Sequence, residues 1–306
     1  MTPFAAIAAN DRSPADAGAT MQIPIQAFVG PRGTLVHQFT AGDGAPVIAL
    51  HCSGGQGVMW RGMLPWLGDT FRLHCPDLYG YGRSEPFPAG NRMTLDDEAE
   101  LVGALLRRFD RPVHLIGHSY GGAVALRTAI DHATRLCSLT LYEPVAFHLL
   151  RPELGGHAPA LHQIQILAAD MRTAYLRDDA TTAARLFIDY WNEPGSFDRM
   201  TLQRQAALIV QVPRLWLDFV LTLGCKTMPA SYRSLKLPVL LLSGMRSPGT
   251  VRLIADRLAG LLPAVRHAIL PDLGHMAPVS HPDAVARVML PFLRACETSH
   301  QQRACA

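Results

Sequence analysis

The amino-acid sequence predicts an α/β protein: a mostly parallel sheet with helices on both faces and one helical block inserted into the chain. Three observations carry this prediction. Short apolar runs bounded by turn residues alternate with segments of helical periodicity, the pattern of a parallel sheet covered on both sides. That rhythm stops after Pro144 and returns at Val239, leaving about 90 residues of helical pattern between them. Apolar residues make up 49% of the 306 and charged residues 17%, enough for a full core and the reverse of a disordered composition.

Each element follows from a local signal. Residues 1–20 are rich in Ala, Asp and Pro without periodicity and are expected to form a loose arm. Residues 23–29 and 35–39 read as short strands around the turn Gly30-Pro31-Arg32-Gly33. Val47-Ile48-Ala49-Leu50 is a buried-strand run that ends in His51-Cys52-Ser53-Gly54-Gly55. Residues 71–75 form another, ending in Pro76-Asp77. Thr94 and Asp97 have capping-box spacing, and Val102, Leu105, Leu106 and Phe109 follow at helical intervals. Residues 113–116 are a strand, 123–130 a helix and 137–141 a strand.

In the block that follows, Leu161, Ile164, Ala168, Met171 and Tyr175 share one helix face. After it come a strand at 239–242, a helix through Val251, Ile254, Leu258 and Leu261, a strand at 265–270 and a last helix at 282–294. The expected organisation is a discontinuous core, 21–145 and 235–296, a helical cap at 146–234 and a tail at 297–306.

Charge and composition exclude several functions. The net charge of +3 is spread without a basic run, so a nucleic-acid partner has no support. A membrane partner is not expected either, because the densest apolar stretch, 206–223, is broken by Gln211, Pro213, Arg214 and Asp218. The start lacks the basic region of a signal peptide. The six cysteines show no metal-ligand or CxxC spacing, which reads as free thiols in the cytoplasm. No metal and no cofactor are expected; the partner is a small-molecule substrate, and the oligomeric state stays open.

Open parallel sheets bind ligands at the carboxyl ends of their strands, so the turns there hold the chemistry. Gly117-His118-Ser119-Tyr120-Gly121-Gly122 joins a strand directly to a helix, the setting in which a G-x-S-x-G elbow strains its serine and lifts the hydroxyl clear. A serine needs a base, and His275 in Leu273-Gly274-His275-Met276 lies beyond the last strand on the same edge. His281 is expected to cap the final helix, with Pro282 in its first turn. The backbone N–H groups of Tyr120 and Ser53 are the expected donors to a developing oxyanion.

Five features in order, HCSGG, PDLYGYGRS (76–84), GHSYGG, a helical insertion and GHMAP (274–278), resemble the α/β-hydrolase superfamily, in its serine esterase or haloperoxidase-like branch with a helical cap. The resemblance spans about residues 21–294. It implies an eight-stranded, mostly parallel core with the cap after the sixth strand. It also implies Ser119 as nucleophile, His275 as base, and Ser53 and Tyr120 as oxyanion donors. Members that cleave carbon–halogen bonds or epoxides use a carboxylate at the elbow and pass through an alkyl-ester intermediate that Ser119 cannot form.

This chain departs from the family pattern at the third position. The turn after the seventh strand, usually with an Asp, reads Gly244-Met245-Arg246-Ser247-Pro248. Glu143, ending the sixth strand, is the expected substitute; Asp272 or a bare Ser–His dyad are the other options. Phe147, Phe187, Tyr190, Trp191, Trp216 and Phe219 give the cap an aromatic character. With Trp60, His51, His118 and Met276 on the core side, Phe147, Trp191 and Trp216 are the residues expected to line the substrate site. The expected function is a serine hydrolase, carboxylesterase-like, acting on a small to medium apolar ester or related acyl compound through an acyl-enzyme on Ser119. Carbon–carbon hydrolysis, perhydrolysis or a lyase reaction would use the same residues. A slow or non-catalytic ligand receptor is the alternative of another class.

Overall fold

The computed structural model describes residues 25–88 and 92–304; the arm expected at 1–20 lies outside them. Eight strands form one sheet: β1 (Ile25–Val29), β2 (Leu35–Ala41), β3 (Ala45–Leu50), β4 (Phe71–Pro76), β5 (Val113–His118), β6 (Leu136–Tyr142), β7 (Val239–Gly244) and β8 (Val265–Leu270). Their order is β1-β2-β4-β3-β5-β6-β7-β8. The first two strands pair antiparallel and β2 joins β4 antiparallel; every later pairing is parallel. The α/β-hydrolase architecture read from the sequence is therefore the one observed.

Four central strands are buried at every position, which explains their near-continuous apolar runs. Alternate residues still feed opposite cores. Ile48, Leu50, Leu139 and Leu141 join the larger core, whereas Val47, Ala49, Leu240 and Leu242 join the smaller one. Each Val, Leu or Ile among these side chains contributes about 1.5–3 kcal/mol when fully buried. Helices α1 (Leu64–Leu67) and α10 (Pro282–Ala304) cover the smaller side, and α2 (Leu95–Leu106), α3 (Tyr120–His132) and α8 (Gly249–Leu261) the larger. The Thr94–Asp97 capping box is formed reciprocally at the start of α2.

Between β6 and β7 lie only helices: α4 (Ala158–Leu176), α5 (Ala180–Trp191), α6 (Leu202–Gly224) and α7 (Pro229–Arg233), with short 3-10 turns before them. Side chains of His157, Asp179 and Thr201 cap α4, α5 and α6. Helix α4 buries Ile164, Ala168 and Met171 as its periodicity predicts, but Tyr175, in its last turn beside exposed Leu176, is 42% exposed. Helix α6 has a mean hydropathy of 1.5 and the length to cross a bilayer, yet Leu208, Val212, Leu215 and Phe219 pack inward and Arg214 and Asp218 pair on the same side.

The C-terminal tail expected at 297–306 is corrected: α10 continues to Ala304. Its polar extension is anchored because Glu297 turns inward to pair with Arg111 and to meet His114 Nε2 at 3.2 Å. A short helix, α9 (Ala277–Ser280), precedes it, and Pro282 stands at its first position.

Candidate active site

Ser119 sits between β5 and α3 with φ 56° and ψ −116°, a conformation that non-glycine residues adopt only under restraint. The restraint comes from neighbouring glycines. A Cβ on Gly121 would fall 2.4 Å from the His51 carbonyl oxygen, and one on Gly117 would fall 2.4 Å from that of Gly121. Only glycine lets the strand and helix cross this closely. The backbone of Ser119 is tied by its N–H to the Tyr142 carbonyl at 3.0 Å.

His275 reaches this serine from the loop after β8, its Nε2 lying 2.9 Å from Ser119 Oγ. Two buried groups hold that loop: Tyr142 donates its hydroxyl to the Gly274 carbonyl at 2.8 Å, and His118 Nε2 donates to the His275 carbonyl at 2.7 Å. On the other flank of His275, Nδ1 is 2.7 Å from Glu143 Oε2. Glu143 is fully buried and also left-handed, with φ 45°; its Oε1 accepts from the Gly244 N–H at 2.6 Å. Ser247 is near but its Oγ has no partner among the described residues, and Asp272 is exposed. The structure thus brings together Ser119, His275 and Glu143.

Tyr120 is the first residue of α3, so its N–H has no acceptor within the helix. The Ser53 N–H likewise meets no acceptor among the described residues. Both residues flank Ser119, which opens into a small cavity with Ser53 at its edge. Apolar walls come from Val145, Phe147, Phe187, Trp191 and Phe219. The aromatic rings are ordered: Phe147 stacks near-parallel on Phe219 at 5.7 Å, and Trp191 stacks on the His275 ring at 4.4 Å. Two further lining residues, Asp218 and Thr222, are polar.

Several residues expected to line the site lie elsewhere. His51 sits behind the turn, taking the Leu78 N–H on Nε2 at 3.0 Å while Nδ1 meets the Cys52 carbonyl at 2.8 Å. Burial lowers it to about 4, and burial likewise holds His118 well below its ordinary value, so both are neutral braces. Trp60 is packed into the smaller core and Met276 into a cluster with Cys52 and Val279. Trp216 faces away, under the Arg172 guanidinium.

A buried polar network that the sequence motifs do not announce lies at the cavity wall. Asp218 accepts from Ser53 Oγ, from Tyr81 at 2.6 Å and from Arg214. Arg214 also donates to Glu98 Oε1 at 2.6 Å and to the Tyr79 carbonyl at 2.7 Å. Burial pushes Glu98 up to about 7, against the pull of Arg214, and raises Asp218 for the same reason. The sequence carries the signal as an oppositely charged i,i+4 pair, Arg214 and Asp218, within an apolar helix, a pattern that marks a buried ion pair as well as an interruption of the apolar run. Far from this site, at the amino edge of the sheet, His114, Cys137 and Glu297 have ligand atoms within 4.8 Å of one another. His114 and Glu297 there are already bonded to Ser138 and Arg111.

Comparison with known proteins bears on the family and the fold. The chain is 35% identical over 133 residues to the pimeloyl-[acyl-carrier protein] methyl ester esterase of Aeromonas hydrophila subsp. hydrophila, covering 43% of this chain and 51% of that one. The chain thus spans about half the length of this first relative. It is 24% identical over 280 residues to the 2-hydroxy-6-oxo-6-(2'-aminophenyl)hexa-2,4-dienoic acid hydrolase of Metapseudomonas resinovorans, covering 88% and 91% of the two chains. The solved epoxide hydrolase CorEH shares the fold at a TM-score of 0.70 and 21% identity, covering 90% of this chain and 99% of its own. The sequence model described as "Alpha/beta hydrolase family" matches residues 47–288, from β3 through the elbow and the insertion into α10. With the strand order, the serine elbow and the histidine loop in the same chain order, this protein belongs to the alpha/beta hydrolase family.

Proposed function

We propose that the protein is a serine hydrolase acting on a small to medium, largely apolar ester, with Ser119 as nucleophile, His275 as general base and Glu143 as its carboxylate partner. The observation that carries this reading is the chain of contacts at 2.9 and 2.7 Å linking Ser119 Oγ, His275 and Glu143, built on a strained elbow. In the first step Ser119 Oγ bonds to the ester carbonyl carbon and passes its proton to His275 Nε2. The carbonyl π pair moves to oxygen, where the N–H groups of Tyr120 and Ser53 receive it. The tetrahedral adduct collapses, the alkoxide leaves with the proton from His275, and the acyl group stays on Ser119. Water repeats the sequence and frees the acid. Glu143 stabilises the imidazolium and keeps the proton of neutral His275 on Nδ1.

Apolar, aromatic walls around Ser119 support an apolar acyl or alkoxy group rather than a charged one. A serine at the elbow separates this reading from the chemistry of the epoxide-hydrolysing neighbour. The test is labelling with a fluorophosphonate together with turnover of short-chain nitrophenyl esters. Wild type should be labelled and active while Ser119→Ala is neither; a folded wild type that is unlabelled and inactive refutes the reading.

A further inference from the structure

We infer that Asp218, on the cap helix α6, is a positioning residue that sets the Ser53 oxyanion donor, so that seating of the cap and competence of the oxyanion site are one event. The inference rests on the serine-hydrolase reading above. Ser53 lies in a turn followed by Gly54, at φ 71°, and Gly55, a segment with little intrinsic preference for one conformation. An oxyanion donor works only if it is held before the charge develops. The side-chain anchor given to Ser53 comes from across the cavity: its hydroxyl donates to Asp218 Oδ2, 165 residues away in sequence. The same oxygen accepts from Tyr81 at 2.6 Å, and the other oxygen from Arg214.

Arg214 then extends the connection to the second donor. It meets Glu98 Oε1 at 2.6 Å, and Tyr120, whose N–H follows the nucleophile, donates its hydroxyl to that same oxygen at 3.1 Å. Two residues one helical turn apart on α6 therefore reach both residues proposed to hold the oxyanion. Asp218 is 4% exposed and Glu98 fully buried. Burying these charges carries a desolvation cost that an apolar contact would not, so cap adhesion alone does not account for them. What the charges supply and an apolar contact does not is direction, fixed at Ser53 and at Tyr120.

The test compares Asp218→Asn, Ser53→Ala and the double variant, with wild type and Ser119→Ala as references. In Asp218→Asn the charged Arg214 guanidinium claims the single amide oxygen and turns the NH₂ toward Ser53 and Tyr81, which share the other oxygen in wild type, whereas Ser53→Ala removes one hydroxyl and leaves Arg214 and Tyr81 on the carboxylate. Each single variant should lower kcat on a nitrophenyl ester by about 10–100-fold, within the range for loss of one oxyanion donor. KM should move less than about threefold, and the double variant should be no worse than Asp218→Asn by more than about threefold. An alkyl trifluoromethyl ketone, whose serine adduct carries an oxyanion, should lose affinity by the same factor as kcat. A non-electrophilic ether of equal chain length should not.

Equal losses for ketone and ether, or additive single variants, would make Asp218 a packing residue and overturn the inference. If Asp218→Asn does not fold, Ser53→Ala decides alone, and wild-type kcat and ketone affinity there overturn it. A wild type that forms no ketone adduct removes the serine-hydrolase reading and the positioning role together. A wild type that forms it, with both variants unaffected, removes the positioning role only.

Discussion

Replacing Glu143 by Gln keeps the shape of the side chain and removes its charge. The carboxylate serves two donors, His275 Nδ1 at 2.7 Å through Oε2 and the Gly244 N–H at 2.6 Å through Oε1. A carboxamide has one acceptor oxygen for those two donors. If the oxygen stays on Gly244, the NH₂ faces Nδ1 and drives the imidazole proton to Nε2, where it blocks acceptance from Ser119. If the oxygen turns to His275, the buried Gly244 N–H meets an NH₂ group. In either case the imidazolium formed in the reaction loses its counter-charge. At about 4 Å and an effective dielectric of about 20, that loss is about 4 kcal/mol, or roughly three decades in rate. The tautomer cost carries the expected fall in kcat to about 10³–10⁴-fold. KM should change little, since Glu143 is not among the residues lining the cavity. Ser247→Ala, which deletes a buried hydroxyl without a partner among the described residues, should stay within about threefold. Steady-state kinetics on a nitrophenyl ester, with thermal melts to verify folding, is the assay. A kcat for Glu143→Gln within tenfold of wild type, or a large loss for Ser247→Ala, refutes the reasoning.

Other outcomes follow from the same geometry. Trp191→Ala removes the ring stacked on His275 and part of the cavity wall, so it should cost about 3 kcal/mol in urea unfolding and raise KM; an unchanged KM would separate Trp191 from the substrate. Gly121→Ala would press a Cβ against the carbonyls of His51 and Leu50, and should lower stability by about 3 kcal/mol or prevent soluble expression; a normal melting temperature would contradict the elbow packing. Burial holds His51, His114 and His148 at about 4, below their unfolded value, so the unfolded chain binds more protons between about pH 4 and 6.5 and stability falls as pH drops through that window. Each should cost about 2 kcal/mol at pH 5 relative to pH 7.5, and equal urea midpoints at the two pH values would refute this.

Fold class and the order of the parts are written locally along the chain. Central strands buried on both faces must be written as apolar runs, and the turn from β5 into α3 needs Gly117 and Gly121, so both features are local and legible. Helix α10 runs past the expected 282–294 because its last turns are anchored by Glu297 reaching Arg111 and His114, contacts across 186 and 183 residues that leave no local periodicity. For the partner of His275 the sequence offers Glu143, a carboxylate such as Asp272, or none; distance in space separates these, since Glu143 is adjacent to β7 only through sheet pairing. Which aromatic rings face the cavity was likewise a matter of packing, with Phe147 and Trp191 inside and Trp60 and Trp216 elsewhere. Arg214 and Asp218 mark the sharpest division. One chain segment records two charges in an apolar helix, but only the folded cap brings them to Ser53 and Glu98, because a buried charge is explained by its partners and those lie more than a hundred residues away.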